Sequence, residues 1–278
     1  MGPMSMNTHT TPQTARALRL IGVPTDIGAS RLGSAMGPDA LRVAGLGPAL
    51  RQLGCQVSDI GNLAGPPNPQ TPPEQGLRHL APARAWMQAV HQAVGQALAA
   101  FGRIDVLHNN VGITSQGGPI ETTEDTWDRV MTVNAKSMFL TCKCVLPVML
   151  EQGSGAIVNI GALGGVRWTG YAYCAYAASK GAVNSFTQSV ALQYAAQGIR
   201  ANCILPGVMD TPHIYSQISG FYASPDDMVA ARNKLSPTGR MGDGWDVANA
   251  AVFLASDQAR YINGVELLVD GGLHARCN

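Results

Sequence analysis

Charge is scarce in this sequence and nearly balanced: 19 Lys and Arg face 18 Asp and Glu over 278 residues, a net +1. A chain so weakly charged has no field with which to draw nucleic acid, an anionic membrane or a strongly acidic partner. Small, weakly charged molecules are the expected ligands. No apolar run approaches the ~18 residues that cross a bilayer. The opening residues, MGPMSMNTHTTPQTA, have neither the basic stretch nor the long apolar core of a secretion signal. Residues 1–16 read as a disordered polar tail. The six cysteines (Cys55, Cys142, Cys144, Cys174, Cys203, Cys277) include no CxxC pair and no zinc spacing, so reduced thiols in a cytoplasm are expected. Internal repeats are also missing.

What the chain has is 46% hydrophobic content and a regular alternation of short apolar runs with longer helical patterns. ALRLIGVPTD reads as a buried strand broken at Pro24, and GPDALRVAGLGPALRQLG as a helix with Leu41, Leu46, Leu50 and Leu53 spaced along it. CQVSDIGNL follows as a second strand and runs into the proline-rich AGPPNPQTPPEQG, which cannot be a regular element. APARAWMQAVHQAVGQALAA is helical, with Trp86, Val90, Val94 and Leu98 on one face. RIDVLHNN, GAIVNIG, IRANCILPG and GVELLVDGG read as strands; TWDRVMTVNAKSMFLTCKCVLPVMLEQG, AYAASKGAVNSFTQSVALQYAAQG and DGWDVANAAVFLAS read as the helices between them. Strictly alternating strands and helices imply right-handed crossovers. The expected fold is therefore α/β: a doubly wound, parallel, Rossmann-like sheet in three αβα layers.

Several residues stand out chemically. Tyr176 and Lys180 lie four apart in a helical run and so share a face. A neighbouring ammonium favours phenolate over phenol and can draw a tyrosine below its reference pKa of about 10, which would suit acid and base work on an alcohol or carbonyl. The same spacing is common in helices that do neither. Asn109 to Gly112, NNVG, follow a buried strand, where open α/β sheets bind ligands, although asparagine also caps ordinary turns. Asn134 interrupts an apolar helix and, if buried, needs a partner: a kink held by water, or a plain hydrogen bond between helices. LPGVMDTP ends a strand with backbone groups exposed where a flat ring could dock, or as an ordinary turn.

From about Phe101 to Gly272 these motifs, FGRIDVLHNNVG, VNAKSMF, GAIVNIG, YAASKGAV, IRANCILPGVMDT and NGVELLVDGG, resemble the short-chain dehydrogenase/reductase family in order and approximate spacing. The resemblance implies hydride transfer between NAD or NADP and a small-molecule alcohol or ketone. It makes Tyr176 the acid/base, with Lys180 lowering its pKa and holding the nicotinamide ribose. Asn134 would support a proton-relay water, and Asn109, Asn110, Val111 and Gly112 would line the adenosine side. Pro206, Gly207 and Thr211 would border the nicotinamide. The family places a serine just after the IVNI strand, where this chain reads Gly161 and Ala162. Loss of one such donor costs roughly 10² to 10³ in rate unless a water or Thr169 substitutes. The resemblance further implies a homodimer or homotetramer built on the helices around Asn134 and Tyr176. His213 to Arg240 would form a substrate lid, where Tyr215, Phe221 and Tyr222 suit an apolar or aromatic substrate.

The first third departs from that pattern. Where the family carries a glycine-rich phosphate turn, this chain has IGVPTDIGAS, with Gly22 and Gly28 at two glycine positions and Asp26 at the middle one. A carboxylate there repels a pyrophosphate. Asp59, in the place of a ribose selector, lies 31 residues beyond Gly28, so NAD and NADP are not distinguished. LRLIGVPTDIGASRLGSAMGPDALRVAGL and LGCQVSDIGNLAGPPNP instead resemble the start of arginase and related ureohydrolases, over about Ala17 to Ala100. Neither Gly-Gly-Asp-His nor Asp-x-His-x-Asp occurs, and His9, His79, His91, His108, His213 and His274 are scattered, so no metal site is expected. The chain reads as a chimera: 17–100 ureohydrolase-like, 101–278 dehydrogenase-like, forming one domain over 1–278 and one sheet a strand short of the family's usual complement. Three functions compete: an oxidoreductase weakened at Ala162 and in the glycine turn; an inactive folded remnant that binds a nucleotide or partner subunit; and, least favoured, a ureohydrolase-type metal enzyme.

Overall fold

The computed structural model describes residues 17–22, 42, 46–52, 54–62 and 80–276. Gly28, Asp26 and the tail lie outside the described residues, as do the side chains of Trp86, Val90 and Phe221. In chain order the elements are β1 (Ala17–Gly22), α1 (Leu46–Gln52), β2 (Gln56–Asn62), α2 (Leu80–Phe101), β3 (Val106–Asn109), α3 (Glu124–Met131), α4 (Ser137–Gln152) and β4 (Gly155–Ile160). They continue with α5 (Cys174–Tyr194), β5 (Ile199–Pro206), β6 (Met209–Asp210), α6 (Pro212–Gln217), α7 (Pro225–Leu235), β7 (Gly242–Asp243), α8 (Gly244–Ala255) and β8 (Glu266–Val269).

All described strand pairs are parallel. The central sheet runs β3-β4-β5-β8, and β1 pairs only with β2. Among the described residues no ladder joins the four-stranded and the two-stranded sheet. β6 and β7 add a third, short pair.

Alternation along the strands divides the core into layers. On one face Ile157, Ile199 and Ala201 pack with Cys142, Val145, Leu146 and Met149 of α4 and Val190 and Ala191 of α5. On the other, Val158, Ile160 and Ile204 meet Leu254 of α8. Helices therefore cover both faces, as a parallel sheet requires. α4 follows α3 through a five-residue π-helical turn, Thr132–Lys136. The whole stretch Glu124–Gln152 is long and apolar enough, by length and composition, to cross a membrane, which corrects the reading that no such segment exists. Here its apolar side forms the floor of the core.

Candidate active site

The strand ends of β3, β4 and β5 converge on Asn134, Tyr176 and Lys180. Asn134 is fully buried in the π-helical turn. Its Nδ2 donates to the Ile113 carbonyl (2.9 Å) and to Ser179 Oγ (2.8 Å), while its Oδ1 accepts from the Ile113 N–H (2.8 Å). Ser179 Oγ in turn donates to the Tyr176 carbonyl (2.7 Å). One amide thus pins the loop after β3 to the first turns of α5. Of the two readings of Asn134, the structure realises the hydrogen bond between helices, and both of its N–H groups are engaged.

Lys180 is 3% exposed. Its Nζ donates to the Ile160 carbonyl at the end of β4 (2.8 Å) and lies 5.9 Å from the centre of the Tyr176 ring. Burial pulls the Lys180 amine down to about 8. The Tyr176 phenol moves the other way: burial raises it well above the ordinary tyrosine value, Tyr173 adds to the rise and Arg232 opposes it. Lys180 Nζ is turned to a carbonyl, and burial, not the amine, dominates the Tyr176 phenol. Gly112 is where the loop passes the amine: a Cβ there would lie 3.2 Å from Lys180 Nζ and 3.5 Å from Asn134 Oδ1. Only a glycine leaves that side of the amine open.

The missing serine hydroxyl can be placed. A Cβ on Gly161 would come within 2.5 Å of Leu205 Cδ2, 2.6 Å of Asn184 Oδ1 and 2.8 Å of Cys203 Sγ, so position 161 has room for no side chain. Ala162, extended and buried at the start of a short 3₁₀ turn, is the position that would carry it. Thr169 does not reach across, since its hydroxyl is bonded to the Tyr173 hydroxyl. The Tyr173 ring stands edge-on to Tyr176, with centroids 5.1 Å apart, and stacks on Tyr171 at 5.7 Å. Tyr171 Oη bonds Tyr222 Oη (2.6 Å) and accepts from Arg232 (3.2 Å). The loop after β3 lies against this cluster through the Gly117 and Cys174 backbones (3.1 Å) and carries Ser115, whose buried hydroxyl has no hydrogen-bond partner among the described residues. Sequence reasoning missed Tyr171, Tyr173, Ser115 and Arg232. The dense aromatic run TGYAYCAY was the available signal.

The remaining candidates divide. The Asn109 side chain is buried at the end of β3, donating to Asn159 Oδ1 (2.8 Å) on β4 and accepting from Thr141 Oγ1 (2.7 Å) on α4. Asn110, Val111 and Gly112 follow it out of the sheet. Pro206 ends β5, Gly207 lies hard against Asp270, and Thr211 precedes α6, all at the same end of the sheet. Gly22 ends β1 opposite Asn62. Asp59 is chelated by Arg42 (2.6 and 2.9 Å), which holds its carboxyl below the usual range. Tyr215 is exposed on α6 beside Asp210. Among the described residues no group of three His, Cys, Asp or Glu is placed to hold a metal.

The family profile described as enoyl-(acyl carrier protein) reductase matches residues 86–274, and that of the arginase family matches 16–107. The chain is 42% identical over 192 residues to 2-(R)-hydroxypropyl-CoM dehydrogenase of Xanthobacter autotrophicus, covering 67% of this chain and 73% of that one. It is 40% identical over 187 residues to a protein of the same organism named inactive 2-(S)-hydroxypropyl-CoM dehydrogenase 2, covering 67% and 80%. The solved structure of ligand-free Thermoplasma acidophilum aldohexose dehydrogenase superposes with a TM-score of 0.71 at 26% identity, over 94% of this chain and 96% of that one. Fold, strand-end site and profile agree over the same stretch of chain, and by that agreement this protein belongs to the short-chain dehydrogenase/reductase family.

Proposed function

We propose that the protein is an oxidoreductase dependent on NAD or NADP that interconverts an alcohol and a ketone on a small molecule, with activity reduced by Ala162. The observation that carries this reading is Lys180: a buried amine with three donors, one of them given to Ile160, beside a glycine that leaves its flank open. Those remaining donors fit the ribose hydroxyls of a nicotinamide nucleotide, with Gly112, Pro206 and Gly207 around them. The pyrophosphate turn lies outside the described residues. When bound, the nicotinamide supplies or accepts the hydride.

Tyr176 manages the proton. Its raised phenol stays protonated through neutral pH, so in the reductive direction it acts as general acid, passing the Oη proton to the carbonyl oxygen as that oxygen becomes an alkoxide. In the oxidative direction the same Oη must first be deprotonated. Asn134 acts by position, locking the Ile113 loop to α5 so that Tyr176 and Lys180 share one cleft. At Ala162 the growing oxyanion meets a methyl group, which removes roughly 10² to 10³ of rate. The Tyr173 hydroxyl, on a ring packed against Tyr176, is a candidate to make up part of that loss.

We place the protein in the cytoplasm, as a homodimer or homotetramer, and read the amino-terminal segment as a ureohydrolase graft on a dehydrogenase within one domain. A second reading, an inactive folded remnant, is favoured by the absent hydroxyl at Ala162. Separate calorimetric titrations with NADH and NADPH decide between them. Micromolar binding of either supports the oxidoreductase. Failure of both at millimolar concentration removes hydride transfer and leaves the remnant.

A further inference from the structure

Arg232, in the last turns of α7, is 4% exposed. Its Nε donates to Met241 Sδ (3.3 Å) and its Nη1 to Tyr171 Oη (3.2 Å), both weak acceptors for a full charge. Among the described residues no carboxylate forms an ion pair with it. The acids of its own helix, Asp226 and Asp227, lie in the exposed first turn, where Asp227 is engaged with Ser224. Burying a guanidinium without a counter-charge is costly, and a leucine or methionine would fill the same space without that penalty.

The position of the charge gives it a use. From Arg232 the contacts run to Tyr171, through its stacked neighbour Tyr173, to the edge of Tyr176. Tyr222, from the lid, adds a hydroxyl against Tyr171. The Arg232 charge is felt at Tyr173, Tyr176 and Tyr222, each of which it shifts toward phenolate. A planar guanidinium fork flanked by two phenols matches a carboxylate, which it can hold through paired charge-assisted hydrogen bonds.

We propose that Arg232 is the anion anchor of the substrate site, and that the substrate is a short keto or hydroxy acid whose carboxylate pairs with Arg232 while its oxygen-bearing carbon faces Tyr176. The assignment of the reacting carbon rests on the hydride-transfer reading; the anion site does not. The lid segment carrying Tyr222 and Arg232 would then close over the acid end.

The test compares 4-oxopentanoate with its methyl ester, which differ in charge at one end only, by calorimetry on the full chain with and without NADH. The acid should bind roughly 10- to 100-fold more tightly than the ester. Arg232→Gln should abolish that preference, Arg232→Lys should keep part of it, and Tyr171→Phe should keep most. Equal affinity for acid and ester in the wild type, absence of acid binding, or an undiminished preference in folded Arg232→Gln overturns the proposal. If Arg232→Gln does not fold, the wild-type comparison decides alone. Acid preference without any NADH binding leaves the anion site standing and removes hydride transfer; NADH binding without acid preference does the reverse.

Discussion

Gly161 and Ala162 differ in formula by a single methylene, yet their surroundings assign them opposite tolerances. Gly161 is enclosed by Leu205, Asn184 and Cys203, so Gly161→Ser should destabilise the protein by about 1–3 kcal/mol through overpacking. Ala162 already holds a Cβ, and Ala162→Ser adds one oxygen beside the cleft. It should melt like the parent and raise kcat for carbonyl reduction by up to roughly 10². Thermal melts and steady-state rates on both variants check this. A stable Gly161→Ser, or an Ala162→Ser with unchanged kcat in a protein that binds cofactor, would contradict the placement. Helical spacing put Tyr176 and Lys180 on a common face, and the family resemblance gave that pair its chemical meaning. The direction of the Tyr176 shift was not legible, since it depends on where Lys180 Nζ points and on how much water reaches the phenol. The side-chain partners of Asn109 were hidden for a related reason: sequence places it at a strand end but does not say which way its amide turns.

The stretch from α3 to α4 is one helical rod by pattern, and its apolar spacing announced the element correctly. Nothing in TVNAK signals a π turn, because it has neither glycine nor proline. Asn134 is held from outside the helix, by the Ile113 backbone and Ser179, and only the folded loop reveals those partners. Asn134→Leu keeps the volume but strands the Ile113 N–H and carbonyl. It should cost roughly 2–4 kcal/mol in denaturant unfolding, and an unchanged midpoint would show that Asn134 ties nothing together. The segment that holds α6 and α7 was picked out by family resemblance and not by any pattern in its residues. Tyr171 and Tyr173 escaped because they precede α5 in a loop, where no period exists to say what they face.

At the scale of the molecule, the two family profiles overlap over 86–107, which takes in most of α2 and the first half of β3. The fold class followed from the alternation of elements. The order of the strands did not, because strand pairing is decided by contacts between distant segments. Leu192 on α5 is 80% exposed, and Phe139 and Leu150 on α4 are also exposed, as a subunit face would be. Sedimentation should find a dimer or tetramer that Leu192→Glu shifts toward monomer; a wild-type monomer at tens of micromolar would argue against the assembly.

The all-parallel ladder also governs time. Val106 pairs with Ala156, Gly155 with Ile199, and Cys203 with Glu266, so every strand contact in the central sheet waits for a long stretch of chain to close on itself. During synthesis β5 emerges well before β8, and its second edge stays uncovered until residues near the carboxyl terminus have appeared. Slow acquisition of the native state, and vulnerability during that interval, are built into the order in which this sequence delivers its strands.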